Sequence, residues 1–275
     1  MSNLSIVGLI LTYNEEINIK GCIESMHFCD EIVVFDSYSD DRTVEIAKSC
    51  GAIVKERHFD NYAAQRNAAL KAVSSNIKWV LMLDADERVT LELEKEIKLF
   101  LKNRTSKTLL RVRRQDQFMG KWLKHSSGYP TWFPRLFRNG EVLVTREINE
   151  EYITEGEIGD LQGHLLHFPF NKGLFWWLER HNRYSSMEAE VLIDEFRQKI
   201  TWGFCFSKDP VKRRKFQKQL VYRLPGRPLI VFLGLYFLRK GFLDGVAGFR
   251  FCIMRMLYEM MIDLKIKEKR WKRSL

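Results

Sequence analysis

Two aspartates, Asp84 and Asp86, directly follow the apolar run Trp79–Leu83. Five apolar residues in a row are typical of a buried strand, which would then end in two carboxylates spaced i, i+2. Burying two carboxylates is unfavourable unless a cation or strong hydrogen-bond donors compensate for them. Mg²⁺ and Mn²⁺ prefer carboxylate ligands and often share them with phosphates. The motif therefore indicates a metal–phosphate site, and an Asp-x-Asp turn that starts the next helix is the alternative.

Polar residues also follow the two earlier strand-like segments. The first is followed by Thr12, Tyr13 and Glu15, an aromatic ring and polar groups that suit the face and edges of a base. The second is followed by Asp36, which is well placed to accept a hydrogen bond from a ribose or a base N–H. The alternative for the first site is that Asn14 caps the next helix while Glu15 and Glu16 favour its positive end. After the second strand, Ser39, Asp40 or Asp41 can equally cap the helix that follows.

The sequence lacks the usual glycine-rich phosphate loops. No GxGxxG follows the first strand and no GxxxxGK[ST] occurs anywhere, which argues against a dinucleotide-dependent oxidoreductase and a P-loop NTPase. Bound phosphates would then need another positive partner, and a metal held by Asp84 and Asp86 would supply it.

The first hundred residues alternate between strand and helix patterns. The predicted strands and helices are Ile6–Leu11, Glu15–Met26, Glu31–Phe35, Thr43–Ser49, Ala52–Val54, Tyr62–Val73, Trp79–Leu83 and Thr90–Leu101. Repeated βα units of this length predict an α/β, Rossmann-like fold with a mostly parallel sheet. Beyond about Leu109, short β-like pieces such as Leu109–Arg113 and Val142–Thr145 precede a long helical pattern over Lys172–Lys199.

Charge is unevenly distributed along the chain. Residues 1–100 carry 17 acidic and 11 basic side chains, and residues 101–275 carry 18 acidic and 34 basic ones. This asymmetry indicates a polyanion or an anionic membrane surface as partner of the C-terminal part. The apolar stretch Leu229–Leu264 is interrupted by charges, so it predicts an interfacial amphipathic element and not a transmembrane helix. A core helix pair or an oligomer interface is the alternative.

The five cysteines are scattered, with no CxxC and no Cys/His cluster. This pattern favours reduced thiols in the cytosol and argues against a zinc site. The first five residues have no basic stretch before the apolar run Ile6–Leu11, so this run is predicted to be a strand and not a signal peptide.

Taken together, these motifs resemble the inverting GT-A glycosyltransferases of family two. The segments that carry the resemblance are Leu11–Glu16, Asp36–Asp40, Ala64–Ala69 and Asp84–Asp86, the last being a DXD motif. Later segments resemble the bacterial lipopolysaccharide-core β-glucosyltransferase branch, namely Phe133–Arg138, Ile148–Glu150, Leu166–Pro169 and Gly241–Gly245. The order of the motifs is more specific than any one of them.

The resemblance implies a GT-A nucleotide-sugar-binding and catalytic domain over residues 1–200, with a nucleotide half (1–105) and an acceptor half (106–200). Residues 201–275 would form a basic amphipathic helical extension at a membrane surface or an oligomer interface. The implied reaction moves a hexose, with glucose favoured, from a UDP-sugar to lipopolysaccharide core, another glycolipid or a lipid-linked glycan. The implied location is peripheral, at the cytoplasmic face of the bacterial inner membrane.

The family also implies roles for matching residues. The residues that would bind the nucleotide or donor sugar are Thr12, Tyr13, Glu15, Asp36, Arg66 and Asp84. Asp86 would bind the Mg²⁺ or Mn²⁺ that bridges the diphosphate and stabilises it as a leaving group.

Direct inversion needs a general base on the acceptor hydroxyl. Many relatives use the Asp of a Glu-Asp pair, but this dipeptide is absent from the sequence. The branch motif matches Ile148–Glu150, so Glu150 is the predicted base, with Glu147 and Glu151 as rivals. The alternative is that this acidic run forms an exposed turn.

Three further residues are candidates for the site. His167 can complete the metal site, because neutral imidazole suits Mn²⁺, and a hydrogen-bonded core histidine is the alternative. Arg135 and Arg138 can bind the diphosphate or an anionic acceptor, because guanidinium suits phosphate geometry. A solvated strand face is the alternative for both arginines.

The competing function is a non-catalytic nucleic-acid or polyanion binder. It would use the basic stretch Lys208–Lys218 and the tail Lys265–Arg273, near the aromatic residues Trp202, Phe204, Phe206 and Trp271. The acidic cluster in the N-terminal half would repel a polyanion, so nucleic acid is not expected as a partner.

Overall fold

The computed structural model describes residues 5–145, 150–197 and 226–272, together with Gly203, Cys205, Arg213, Phe216, Leu220 and Leu224. The chain forms two compact units. The first consists of residues 1–117 and 129–171, and the second of residues 118–128 and 172–275. The predicted boundary after residue 200 differs from this grouping, because the helix Gly173–Arg197 packs against the last helix of the chain.

Helices and strands alternate through the first half of the chain, and strands dominate from residue 107 to residue 167. In chain order the elements are β1 (Ile6–Thr12), α1 (Ile19–Ser25), β2 (Glu31–Asp36), α2 (Thr43–Ser49), β3 (Ile53–Glu56), α3 (Tyr62–Lys71), β4 (Trp79–Asp84), β5 (Glu87–Val89), α4 (Leu91–Lys102), β6 (Lys107–Phe118), β7 (Lys121–Trp122), β8 (Trp132–Arg138), β9 (Leu143–Thr145), β10 (Glu151–Ile153), β11 (Glu157–His167), α5 (Gly173–Arg197), α6 (Arg227–Leu233) and α7 (Gly245–Lys272).

Eight strands of the first unit form one mixed sheet in the order β3-β2-β1-β4-β8-β6-β11-β5, and β9 pairs with β10 in a separate two-stranded sheet. The four strands β3, β2, β1 and β4 are parallel, as the βα repeats predict. Strand β8 runs antiparallel to both β4 and β6, while β11 runs parallel to β6. The protein is therefore a mixed α/β protein with a mostly parallel sheet, which confirms the predicted class.

The sheet is buried on both faces at its centre. Alternate residues of β1 and β4 belong to two hydrophobic clusters, with Ile6, Ile10, Leu81 and Leu83 in one and Val7, Leu9, Val80 and Met82 in the other. The first cluster includes residues of α1 and α4, and the second includes residues of α3. Burial on both faces explains the continuous apolar runs in the sequence and holds the strand ends in fixed positions.

Helix α1 begins later than the sequence predicts. The predicted helix starts at Glu15, but α1 starts at Ile19, because residues 14–18 form a loop. In this loop Asn14 has a left-handed backbone (φ 53°), and its side-chain oxygen accepts a hydrogen bond from the backbone N–H of Asp40 (3.0 Å). Asn14 therefore joins two loops and does not cap the helix.

The apolar stretch Leu229–Leu264 is divided among two helices and two short turns. After α6, residues Gly234–Leu238 form a π-helical turn and Gly241–Asp244 a 3₁₀ turn, and α7 then continues to Lys272. None of the helices among the described residues combines the length and the apolar character needed to cross a bilayer.

Candidate active site

Three site candidates lie side by side at one edge of the sheet. In the parallel pairing of β1 with β2, Thr12 is opposite Asp36, and in the pairing of β1 with β4, Leu11 is opposite Asp84. The carboxyl ends of β1, β2 and β4 therefore meet, which is where parallel sheets bind their ligands.

Asp36 is fully buried, and its carboxylate is engaged by the protein's own donors. It accepts hydrogen bonds from the Thr12 hydroxyl (2.7 Å), the Ser39 backbone N–H (2.7 Å) and the Ser39 hydroxyl (2.6 Å). Asp36 thus fixes the loop that follows β2. Its predicted contact with a nucleotide stays a prediction.

Tyr13 and Glu15 lie on the loop after β1. Tyr13 is 50% exposed. The Glu15 carboxylate accepts a hydrogen bond from the Asn18 side chain (2.8 Å), and its backbone N–H donates to the Thr43 hydroxyl (2.7 Å). These bonds hold the loop in one conformation beside Asp36. The predicted nucleotide contacts of Tyr13, Glu15 and Thr12 also stay predictions.

A chain of opposite charges occupies the end of β4, in which Arg66, Arg135 and Glu87 are buried while Asp84 and Glu150 are partly exposed. Asp84 accepts hydrogen bonds from Arg66 (2.9 Å) on one oxygen and from Arg135 (2.8 Å) on the other. Arg66 also donates through Nε to Glu150 (3.0 Å), and Arg135 donates two bonds of 2.8 Å to Glu87. We call these five residues the charge cluster; it links the first residue of the DXD motif to the predicted base.

The arginines keep the central carboxylate ionised. Burial by itself raises the pKa of Asp84, but the guanidinium groups of Arg66 and Arg135 outweigh it and hold that pKa below its usual range. Burial lowers the pKa of each arginine, and the nearby carboxylates more than reverse this, so that both pKa values lie above the usual range. Asp84, Arg66 and Arg135 are therefore all charged at neutral pH.

Asp86 and His167 form the second half of the site. The Nε2 atom of His167 lies 3.4 Å from an Asp86 carboxylate oxygen, and its Nδ1 atom lies 2.6 Å from an Asp116 oxygen. Burial lowers the pKa of His167, but the Asp86 charge and the bond to Asp116 raise it to about 9. Burial raises the pKa of Asp86, and His167 brings it below its usual value.

This arrangement fits a divalent cation. A carboxylate oxygen and an imidazole nitrogen face one another, and a second carboxylate on the other ring nitrogen orients the imidazole, as it does in many metal sites. A bound cation would replace the proton that the raised pKa of His167 keeps on its ring at neutral pH. Within the described residues no group of three or more His, Cys, Asp or Glu side chains is placed to hold a metal. Asp86 and His167 are the residues that would hold such a cation.

Arg138 is not brought to the charge cluster, and its predicted contact with the diphosphate or an anionic acceptor stays a prediction. In the antiparallel pairing of β4 with β8, Arg138 lies opposite Trp79, at the far end of β4 from Asp84. Its guanidinium donates to the Thr105 carbonyl (2.7 Å) and lies 5.5 Å from the centre of the Trp79 ring.

Of the rival bases, Glu151 is exposed at the start of β10, and Glu147 lies outside the described residues. Most of the basic stretch Lys208–Lys218 lies outside them too, as do Trp202, Phe204 and Phe206.

The sequence reasoning missed Glu87, Arg114 and Asp116. Glu87 is fully buried and accepts hydrogen bonds from Arg135 and from Arg114 (3.4 Å). Asp116 lies opposite His167 in the pairing of β6 with β11. Glu87 stands beside Asp86 in the same acidic run, and this was the signal available for it. The pairing of Asp116 depends on β11 and on the end of β6 beyond Arg113, neither of which the sequence pattern reveals.

Comparison with known proteins assigns the family. Residues 9–147 match the family model described as Glycosyl transferase family 2. The chain belongs to this family. The predicted family resemblance is therefore confirmed, and with it the broad class of enzyme, a glycosyltransferase.

Individual relatives are similar over most of the chain. The lipopolysaccharide core biosynthesis glycosyltransferase LpsC of Rhizobium meliloti is 28% identical over 275 residues, covering 97% of this chain and 93% of the relative. An uncharacterized glycosyltransferase of Rickettsia conorii is 28% identical over 255 residues, covering 89% and 83%. Among solved structures, S. aureus TarS (residues 1–349) is 16% identical with a TM-score of 0.42, covering 94% of this chain and 90% of that one.

Proposed function

We propose that the protein transfers a hexose, with glucose favoured, from a UDP-sugar to a lipopolysaccharide-core, other glycolipid or lipid-linked glycan acceptor, with inversion at the anomeric carbon. The observation that carries the proposal is the meeting of the charge cluster with Asp86 and His167 at the end of β4 in a family 2 glycosyltransferase. The acceptor class is supported by the similarity to LpsC, which is named for lipopolysaccharide core biosynthesis.

On the donor side, Asp86 and His167 would hold Mg²⁺ or Mn²⁺, and Asp116 would keep the imidazole in position. Such a cation supplies the positive charge that stabilises a departing nucleoside diphosphate. Asp84, at the neighbouring strand edge, would accept hydrogen bonds from hydroxyls of the ribose or the sugar. Its two arginine partners fix its orientation before the donor binds, so no reorganisation is needed at that step.

On the acceptor side, Glu150 would take the proton from the attacking hydroxyl as the new glycosidic bond forms and the bond to the diphosphate breaks. Arg66 donates to one oxygen of Glu150 and also to Asp84, so one cation orients the base relative to the donor site. Of the two described candidates, Glu150 is a member of the charge cluster and Glu151 is not. This contact favours Glu150.

For localisation, we propose a peripheral position at the cytoplasmic face of the bacterial inner membrane. The odd, scattered set of cysteines supports the cytosolic side. The basic, apolar C-terminal part supports contact with a membrane, where a lipid-linked acceptor would lie.

Calorimetric titration tests the donor and metal assignments. Wild type, Asp86→Ala and the control Asp263→Ala, which changes a partly exposed acid of α7, are titrated with a panel of UDP- and GDP-sugars with and without Mn²⁺. We expect one UDP-sugar to bind in a Mn²⁺-dependent manner to wild type and to the control, but not to Asp86→Ala. Equal, metal-independent binding to all three proteins would refute the metal role of Asp86, and no binding to any would refute the donor assignment.

A transfer assay tests the acceptor. The donor found by titration is supplied with a radiolabelled sugar, Mn²⁺ and a bacterial membrane extract, and the label is followed into the lipid-extractable fraction. We expect wild type and Asp263→Ala to label this fraction, and Asp86→Ala to leave it unlabelled. Label that stays entirely in water-soluble products would rule out a lipid-linked acceptor.

A further inference from the structure

The second unit presents a large exposed apolar surface between Leu229 and Phe249. Nine large apolar side chains there are between 41% and 86% exposed, namely Leu229, Ile230, Leu233, Phe237, Leu238, Phe242, Leu243, Val246 and Phe249. We call this group the apolar segment. An exposed apolar patch of this kind marks a surface that contacts a partner or a membrane.

Aromatic contacts make the apolar segment continuous across several elements. The Tyr236 ring lies 6.2 Å from Phe242 and 5.6 Å from Phe249, between ring centres. Phe232 lies 6.0 Å from Phe249. The end of α6, the two turns and the start of α7 therefore share one apolar face.

Backbone geometry holds these side chains outward. The helix widens into the π-helical turn Gly234–Leu238, and Lys240 then adopts a left-handed conformation (φ 59°) that reverses the chain. A Cβ atom on Gly241 would lie 2.7 Å from the carbonyl oxygen of Leu235, so the close return of the chain requires glycine there. The turn is therefore tightly packed at its base, while Phe237 and Leu238 project from it, 55% and 86% exposed.

A buried carboxylate anchors this turn. Asp244 is 3% exposed and accepts hydrogen bonds from the backbone N–H groups of His125 (2.9 Å) and Ser126 (2.8 Å) and from the Ser126 hydroxyl (2.7 Å). Asp244 is the one acidic residue in the sequence from 229 to 250. Because it is buried, the exposed charges of this stretch are all positive.

Exposed cations border the apolar segment. Arg239, Lys240 and Arg250 belong to the stretch itself and are exposed. Lys121 is also exposed, and its amine lies 3.2 Å from the position that a Cβ of Gly245 would take. Apolar side chains beside a cluster of cations complement the acyl boundary and the phosphates of an anionic bilayer.

We propose that the apolar segment inserts into the surface of a bilayer that contains anionic phospholipid. Phe237 and Leu238 enter the boundary between headgroups and acyl chains, and Arg239, Lys240 and Arg250 bind the phosphates. A second copy of the chain fits this surface less well, because pairing two identical faces would bring their cations together. The inference rests on the proposed peripheral localisation and names the surface responsible for it. Binding to vesicles is measured without donor or acceptor, so it can fail while the proposed sugar transfer holds.

Vesicle flotation tests the apolar part of the proposal. The full chain and the double variant Phe237→Glu with Leu238→Glu are mixed with vesicles of phosphatidylglycerol and phosphatidylcholine. The matched control is Leu91→Glu with Leu99→Glu, which changes two exposed leucines of α4 (67% and 64% exposed). We expect the partition coefficient to fall by about tenfold or more in the first variant and to stay at the wild-type value in the control.

A second pair of variants tests the cations while it leaves every apolar residue in place. Arg239→Gln with Lys240→Gln is compared with Lys20→Gln with Lys102→Gln, which changes exposed cations of the first unit. Each lost cation should reduce binding to anionic vesicles by about fivefold, which corresponds to about 1 kcal/mol. The control pair should leave binding unchanged, and the difference between the two pairs should disappear with pure phosphatidylcholine.

Several outcomes would overturn the proposal. The proposal fails if wild type stays in the soluble fraction. It also fails if the Phe237/Leu238 variant floats as well as wild type. A wild-type dimer in light scattering that this variant converts to monomer, with no flotation of either, would assign the surface to a second copy. Melting temperatures of all variants show whether they are folded, and the cation pair decides the question if the glutamate variant is not.

Discussion

The end of β4 and the ends of β1 and β2 lie at one edge of the same sheet, yet they are built from different chemistry. At β4, Asp84 lies between two arginines, each of which binds a further carboxylate. At β1 and β2, Asp36 is satisfied by hydroxyl and amide donors from Thr12 and Ser39. Full charges therefore hold the end of β4, while neutral donors hold the carboxylate at the ends of β1 and β2.

The difference predicts how each region responds to mutation. Removal of one partner from a buried ion pair costs about 3–5 kcal/mol, because the other charge stays buried without its counterion. Removal of one neutral donor to a carboxylate costs about 1.5–3 kcal/mol at most, because other donors remain. Variants in the charge cluster should therefore have the larger effects.

The largest effect is expected for Glu150→Gln. Glutamine keeps the shape of the side chain but is not a base, so we expect the transfer rate to fall by about 10²–10⁴-fold while the donor binds as before. Initial rates and calorimetric titration measure the two quantities separately. Glu147→Gln and Glu151→Gln are the controls, and a rate loss in either of them with an active Glu150→Gln would reassign the base.

Arg66→Ala comes next. It leaves Glu150 without this cation and Asp84 with Arg135 alone. Because both carboxylates are partly exposed, we expect the free energy of unfolding to fall by about 2–3 kcal/mol, less than for a fully buried pair. Urea denaturation measures this change. The control Arg138→Ala, whose partly exposed side chain lies at the far end of β4, should cost about 1 kcal/mol or less. Equal costs for the two arginines would mean that the cluster has no special electrostatic weight.

Asp116→Asn should weaken the metal site without removing a ligand. Loss of a carboxylate behind a metal-binding histidine reduces metal affinity by about 10–100-fold. A direct Mn²⁺ titration of the protein without donor reads this out. The control is Asp160→Asn. Asp160 lies on β11, as His167 does, but it is paired with Arg111, so this variant should bind Mn²⁺ like wild type. Unchanged affinity in Asp116→Asn would show that Asp116 does not position His167 for a metal.

The smallest effect is expected for Thr12→Val. It removes one of three donors to Asp36 and leaves both donors from Ser39, so the free energy of unfolding should fall by about 1.5 kcal/mol. Thr12→Ser keeps the hydroxyl and serves as the control. A cost for Thr12→Val as large as that for Arg66→Ala would contradict the proposed difference between the two regions.

Sequence pattern predicted the central strands well and the later ones poorly. Strands β1, β2 and β4 are largely buried, so each is a nearly continuous apolar run that the pattern reveals. Strands β6 and β11 carry charged residues, and β11 also contains Gly159 and Gly163, which are unfavourable in strands. Gly163 has a packing reason that sequence does not show, since a Cβ there would lie 2.6 Å from the Cα of Leu93 on α4.

Site residues were predictable where they follow a strand, but their pairings were not. Asp84 and Asp86 stand out because an apolar run precedes them. The partner of Arg66 is 84 residues away at Glu150, and the partner of Glu87 is 48 residues away at Arg135, so only the folded sheet brings them together. Arg138 follows Arg135 by only three positions in the sequence. Three positions along a strand span about 10 Å, so Arg138 does not reach the charge cluster.

The second unit cannot be removed by truncating the chain after residue 171, because residues 118–128 also belong to it. A shortened chain would keep His125 and Ser126 and lose Asp244, the acceptor of their hydrogen bonds. In the same way, a chimera that takes its C-terminal part from a relative would have to take the equivalents of residues 118–128 as well. The two stretches form one discontinuous unit, so recombination transfers it intact only if both stretches are exchanged together.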